Sequence, residues 1–181
     1  MKNLAYKFTL LAALLTFGTT SLAHALPEEI KNNYPDLVKV GQSDYYFFFI
    51  DVYDIELYQV EKVEDILALK ITYNRDIAAK KRIEHAVEAI DRQGNFSPKT
   101  LSAWEGQMAS IFPDVKEGDS ITVFQNESMS TEFYHNDDYR GVINSPEFTQ
   151  AFIGTWLGKH ATDQSIKHDL LKNAFHTMEQ P

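Results

Sequence analysis

The chain has 181 residues, with 26 acidic side chains against 17 basic ones, a net charge of −9 and no cysteine. So acidic a surface repels phosphate backbones and anionic headgroups, which argues against a nucleic-acid partner. The lack of cysteine excludes a disulfide scaffold, thiol catalysis and thiolate metal sites.

Residues 1–25 have the pattern of a secretory signal peptide. Lys2 and Lys7 make a positive start, Phe8 to Phe17 is an apolar stretch, and Ala23-His24-Ala25 offers small residues at the cleavage positions. Thr9, Thr16, Thr19 and Thr20 interrupt the run, so it falls short of the about 20 apolar residues that span a bilayer. Cleavage after Ala25 leaves one domain, residues 26–181, with a net charge of −11 and enough length for a core. No later stretch is long enough to insert stably in a membrane. A signal peptide without cysteines points to a bacterial periplasm.

In chain order, residues 26–36 read as a polar, proline-punctuated arm. Leu37 to Val40 is expected as a short strand, turned by residues 41–44 into a long strand, Tyr45 to Tyr58 (YYFFFIDVYDIELY). Aromatic and β-branched residues dominate it, and its first half is apolar on both faces, so two layers or one layer and a pocket should cover it. Residues 59–65 read as a loop and Ile66 to Tyr73 as the next strand. Asp76 is expected to cap a helix carrying Ile83, Ala86, Val87 and Ile90 at helical spacing, with Gly94 at its end. Ser97-Pro98 starts another, with Leu101, Trp104, Met108 and Ile111 inward. A strand over Ser120 to Phe124 precedes a hairpin of Met129 to His135 and Tyr139 to Ile143. Ser145-Pro146 opens a helix bearing Phe148, Ala151, Phe152 and Thr155, and Asp163 caps a last one with Ile166, Leu170 and Ala174. Strands, helices, strands, helices with hairpin connections predict an α+β fold, an antiparallel sheet with helices on one face.

The familiar catalytic and phosphate-binding motifs are absent. His85, His135, His160, His168 and His176 are scattered without metal-ligand spacing, so neither metal nor cofactor is expected. Asp51, mid-strand among aromatics, is either a carboxyl of raised pKa or one paired with a neighbour. Arg75 follows a buried strand and could meet a carboxylate at a pocket mouth or pair with Asp76. Thr155, on an apolar stripe, either faces a ligand or bonds back to a carbonyl one turn earlier.

Four blocks in order, FIDVYDIELY (49–58), ITYNRDI (71–77), IFPDVKEGDSI (111–121) and FYHNDDYRGVINSPEFTQAFIGTWLGKHA (133–161), resemble the chalcone isomerase-like family, particularly its bacterial secreted branch. The resemblance implies an open-faced antiparallel sheet packed against a layer of helices, with a ligand cleft between the long strand and the helices. Plant enzymes of the family cyclise chalcones to flavanones, and related non-enzymatic members bind fatty acids. The enzymes' strand threonine falls at Phe48, and their arginine near Asp36, with Lys39 the nearest cation. Ala78 and His85 lie nearest their helix tyrosine and asparagine. Thr155 matches the cleft-facing threonine and Arg75 the family's RDI.

The expectation is therefore a periplasmic, non-catalytic protein that binds an apolar small molecule such as a fatty acid in that cleft. Tyr46, Phe48, Ile50, Phe148, Phe152 and Thr155 would form the walls, and Arg75 or Lys39 would hold an acid head. One alternative is an isomerase or lyase working through Thr155 and nearby tyrosines, with Asp51 as base. Another is an interaction protein whose cleft is filled by its own side chains.

Overall fold

The computed structural model describes residues 26–94 and 96–177; the signal-peptide assignment falls outside them. Six strands, β1 (Val38–Phe47), β2 (Ile50–Val60), β3 (Val63–Tyr73), β4 (Ser120–Gln125), β5 (Thr131–His135) and β6 (Asp138–Ile143), form one sheet in chain order. Every neighbouring pair is antiparallel. α1 (Glu28–Asn33) precedes the sheet, α2 (Ala79–Asp91) and α3 (Pro98–Ile111) lie between β3 and β4, and α4 (Pro146–Leu157) and α5 (Gln164–Leu171) follow β6. This is the α+β, open-faced antiparallel architecture expected from the sequence.

Strand alternation explains the layers. Ile55, Leu57, Leu69, Ile71, Val123 and Phe133 point to one face and meet Ile90, Trp104, Met108, Phe148 and Phe152 of the helices. Ala68, Phe124 and Tyr134 point to the other, where Leu26 and Ile30 cover them. The arm at residues 26–36 is thus partly helical and closes a small second core on the outer face, because Ile30 is apolar enough to seat α1.

The helix starts follow local chemistry. Ser97 accepts from the Thr100 amide, Ser145 from the Phe148 amide, and Asp163 from the amides of Ser165 and Ile166. Asp76 does not cap α2. It is committed to Lys116 and to the Glu117 amide, while Asp114 accepts from the Ala79 amide instead.

The largest correction concerns the aromatic stretch. β1 runs unbroken through Gly41, and the turn falls at Phe48-Phe49. Gly41 is needed for close approach: a Cβ there would strike the Leu170 carbonyl of α5, which lies across β1. Phe48 takes φ 56°, a left-handed conformation costing roughly 1–2 kcal/mol for a residue with a Cβ. Phe48 is 81% and Phe49 99% exposed. The apolar character of both faces marks a hairpin tip, not a doubly covered strand. Likewise, residues 59–65 are mostly strand, since β2 continues to Val60 and β3 begins at Val63.

Candidate functional site

The sheet and the helices separate at one end into a cleft of about 630 Å³, within the roughly 300–1,000 Å³ usual for small-molecule sites. A hollow under α1, of about 230 Å³, is smaller and ringed by Glu29, Glu127 and Glu132.

A bulge shapes the sheet wall of the cleft. The register of β1 on β2 slips between Tyr45↔Tyr53 and Tyr46↔Asp51, which leaves Val52 as an extra residue. Parity reverses there, so Ile50 and Val52 face the same side as Tyr53, and all three line the cleft. Asp51 and Asp54 then share the opposite face, where both accept from the Asn74 side-chain amide. Asp51 is exposed and paired in this way.

α2 supplies the facing wall through Arg82, His85, Ala86 and Ala89, spaced i, i+3, i+4 and i+7 along one helical stripe. Two alanines on that stripe leave the space open. Phe152, Thr155 and Trp156 of α4 close the cleft from the side.

The polar groups gather at Arg82. Its Nε donates to the Tyr73 hydroxyl at 2.9 Å and one terminal nitrogen to the Pro113 carbonyl at 2.9 Å. Its guanidinium lies 4.9 Å from the Tyr73 ring centre and 5.0 Å from that of Phe112, a doubly supported cation–π position. Neither hydrogen-bond partner is a carboxylate, and the guanidinium has five N–H donors, so donors remain for a ligand. Tyr73 accepts from Arg82 and keeps its own proton to give.

Tyr53 adds a second hydroxyl. Its ring stacks on Tyr45 at 5.0 Å and it accepts from the Trp156 indole at 3.2 Å. Burial pushes its hydroxyl well above its ordinary range, so it stays a neutral donor. Asp163, also lining the cleft, is held below the usual carboxylate range by the Ser165 hydroxyl and the amides it caps, despite the upward pull of burial. It remains an acceptor. The site can therefore fix an anionic or carbonyl oxygen at one place and surround an apolar body elsewhere.

Four of the residues singled out from the sequence, Ile50, Arg75, Phe152 and Thr155, line this cleft. The structure separates the other four from it. Phe48 and Tyr46 sit on the exposed hairpin tip, Phe48 in the turn itself and Tyr46 beside it. Phe148 is fully buried one layer away, between Trp104 and Phe152. Lys39 reaches Glu56 and Gln42 at 2.9 Å each and does not line the cleft. Thr155 donates to the Phe152 carbonyl at 2.7 Å, one residue closer than the turn expected. Phe48 does not plug the cleft, so the self-filled alternative fails for that residue. Among the described residues, no group of three His, Asp or Glu side chains is placed to hold a metal.

Sequence reasoning missed Arg82, Tyr73 and the two alanines. Arg82 follows Lys80 and Lys81 in a charged run, and nothing within that run sets it apart. The signal was present in the small size of the residues four and seven positions on, Ala86 and Ala89, since periodicity places Ala86 on the inward stripe and says nothing of the space it leaves.

A family model described as chalcone isomerase-like matches residues 23–172. No protein in a search of curated sequences matches the chain. Among solved structures, the crystal structure of an Arabidopsis thaliana fatty-acid binding protein superimposes with a TM-score of 0.61 at 10% identity, over 77% of this chain and 89% of that one. That likeness is one of fold.

Proposed function

We propose that this chain, which belongs to the chalcone isomerase-like family, is a non-catalytic binding protein for an apolar-tailed acid such as a fatty acid. The observation that carries this is Arg82, held by Tyr73, Pro113 and two aromatic faces yet paired to no carboxylate among the described residues, at the side of a largely apolar cleft. A cation fixed in this way is a receptor for a carboxylate. The tail would lie along Ile50, Val52, Ile71, Ala86 and Phe152. Arg75, exposed at the mouth, would attract the acid without holding it. The fatty-acid binding structure of the same fold supports the choice of ligand class. The positions that match the plant enzymes' threonine and arginine, Phe48 and Asp36, are exposed and outside the cleft lining, which supports a binding role over an isomerase. The composition of residues 1–25 supports a periplasmic setting.

The test compares oleic acid with its methyl ester on delipidated protein, wild type and Arg82→Met. Met keeps the apolar stem and removes the charge. A charge-assisted bond of about 1.5–3 kcal/mol predicts that the variant binds the acid about 10- to 100-fold more weakly and the ester unchanged. Equal loss for acid and ester, or no uptake of either by the wild type, would overturn the proposal.

A further inference from the structure

The cleft leaves unexplained the most exposed apolar feature of the described chain. Tyr46, Phe47, Phe48, Phe49 and Ile50 are all about half exposed or more. β3 ends at Tyr73 opposite Tyr53, and the last backbone bond to β2 on that side runs from the Asn74 amide to the Val52 carbonyl, so residues 46–51 have no third strand beside them. The β1–β2 ribbon stands alone there for roughly 10 Å, at about 3.3 Å per residue. Phe48 and Phe49 touch little else; among the described residues the Phe48 ring meets only that of Phe47, at 4.8 Å. The turn also places Phe48 at φ 56°, where glycine, asparagine or aspartate is the usual choice. The fold gains little packing from these two rings and bears backbone strain to present one of them. Strain with little structural return is a pointer to function.

We infer that the Tyr46–Ile50 tip inserts into the surface of a neutral, zwitterionic phospholipid bilayer. A narrow, convex wedge of aromatic and aliphatic side chains suits the headgroup–acyl boundary. It does not suit a flat protein interface, which needs about 800 Å² of matched surface on each partner. The charges set the lipid type. Asp44 and Asp54 face each other across the ribbon, and Asp51 lies two register positions nearer the tip, so carboxylates would rest at headgroup level. They disfavour anionic lipids and tolerate zwitterionic ones. Continuity with the cleft points the same way: Phe47 and Ile50 belong both to the tip and to the cleft wall. An apolar molecule could pass from lipid to cleft without crossing water. That route rests on the proposed ligand class; insertion of the tip does not.

The test uses phosphatidylcholine vesicles, some carrying brominated acyl chains. In Phe49→Trp, the new indole should blue-shift and be quenched by the brominated lipid, while the native Trp104 and Trp156 in the wild type are not. In Phe48→Gly/Phe49→Ser, which relieves the turn, vesicle binding should fall about tenfold or more, with far-ultraviolet circular dichroism and oleate uptake unchanged. Adding phosphatidylserine should weaken wild-type binding. An unquenched indole at position 49 would overturn the inference. So would vesicle binding that is indifferent to the double substitution, or a substitution that changes self-association and not vesicle binding. Arg82→Met should leave vesicle binding intact, so failure of the cleft reading and failure of the tip are told apart.

Discussion

The two ends of the layer between sheet and helices use the same kind of residue to opposite effect. At the closed end Trp104, Phe133 and Phe148 pack in edge-to-face, tilted and stacked pairs at 5.2–6.4 Å with Phe112 and Phe152, which also border the cleft. At the open end Tyr45, Tyr53 and Tyr73 are also in ring contact, at 5.0 and 6.1 Å, yet a cleft lies against them. The difference is the opposing helix. α3 and α4 send large side chains into the sheet, whereas the α2 stripe offers Ala86 and Ala89. A cavity here comes from the smallness of two residues on one helix and not from any shortage of aromatics on the strand. Phenylalanine and tryptophan serve at both ends, whereas Tyr45, Tyr53 and Tyr73 all border the cleft, where they keep a polar tip that a ligand or water can meet.

Three changes would break or sharpen that contrast. Phe148→Ala at the closed end should have the largest effect, a loss of about 3–5 kcal/mol in chemical denaturation, because the fully buried ring touches Trp104, Phe133 and Phe152 and the hole cannot collapse. A loss below about 1 kcal/mol would mean that the closed end is not close-packed. At the open end, Ala86→Phe should change stability by less than about 1.5 kcal/mol, because the cleft has room for the ring, while lowering oleate binding about tenfold or more. A stability loss as large as that of Phe148→Ala would show that the space is not there.

The smallest effect is on pH. Asp163 at the start of α5 has its carboxyl held below its ordinary value of 3.8 by the Ser165 hydroxyl and the capped amides. A depressed carboxyl contributes stability that is present above its unfolded pKa and lost as pH falls through the folded one. Amides of Ile166 and Lys167 should therefore lose hydrogen-exchange protection as pH falls from about 4 towards 2, once exchange is corrected for intrinsic rate. Those of Met108 and Phe148 should not, because no cap of this kind guards the closed end. Asp163→Asn should flatten the dependence.

Much of the architecture was legible because its signals are local. Ser97, Ser145 and Asp163 mark helix starts by hydrogen bonds to amides two or three residues away, and the stripe of Phe148, Ala151 and Phe152 shows its inward face by spacing alone. The alternation of β3 and β4 likewise announces which residues meet the helices. The aromatic stretch misled because composition cannot separate a strand buried on both faces from a hairpin tip buried on neither. The same rings occur in both, and Gly41 looked like a turn when it serves the close approach of α5.

The sequence by itself determined the fold class, the starts of α3, α4 and α5, the family and the presence of an apolar layer between sheet and helices, since each follows from near neighbours in the chain or from a run of matched blocks. Only the tertiary structure decided which cation is packed into the wall of the cleft. Lys39, Arg75 and Arg82 are equivalent as charges in a sequence, but Lys39 meets Glu56 across a strand pair, Arg75 lies exposed, and Arg82 is drawn against Tyr73 and Phe112. That choice depends on contacts between residues up to 30 positions apart, through bulge, register and helix rotation, and spacing along the chain carries no record of them.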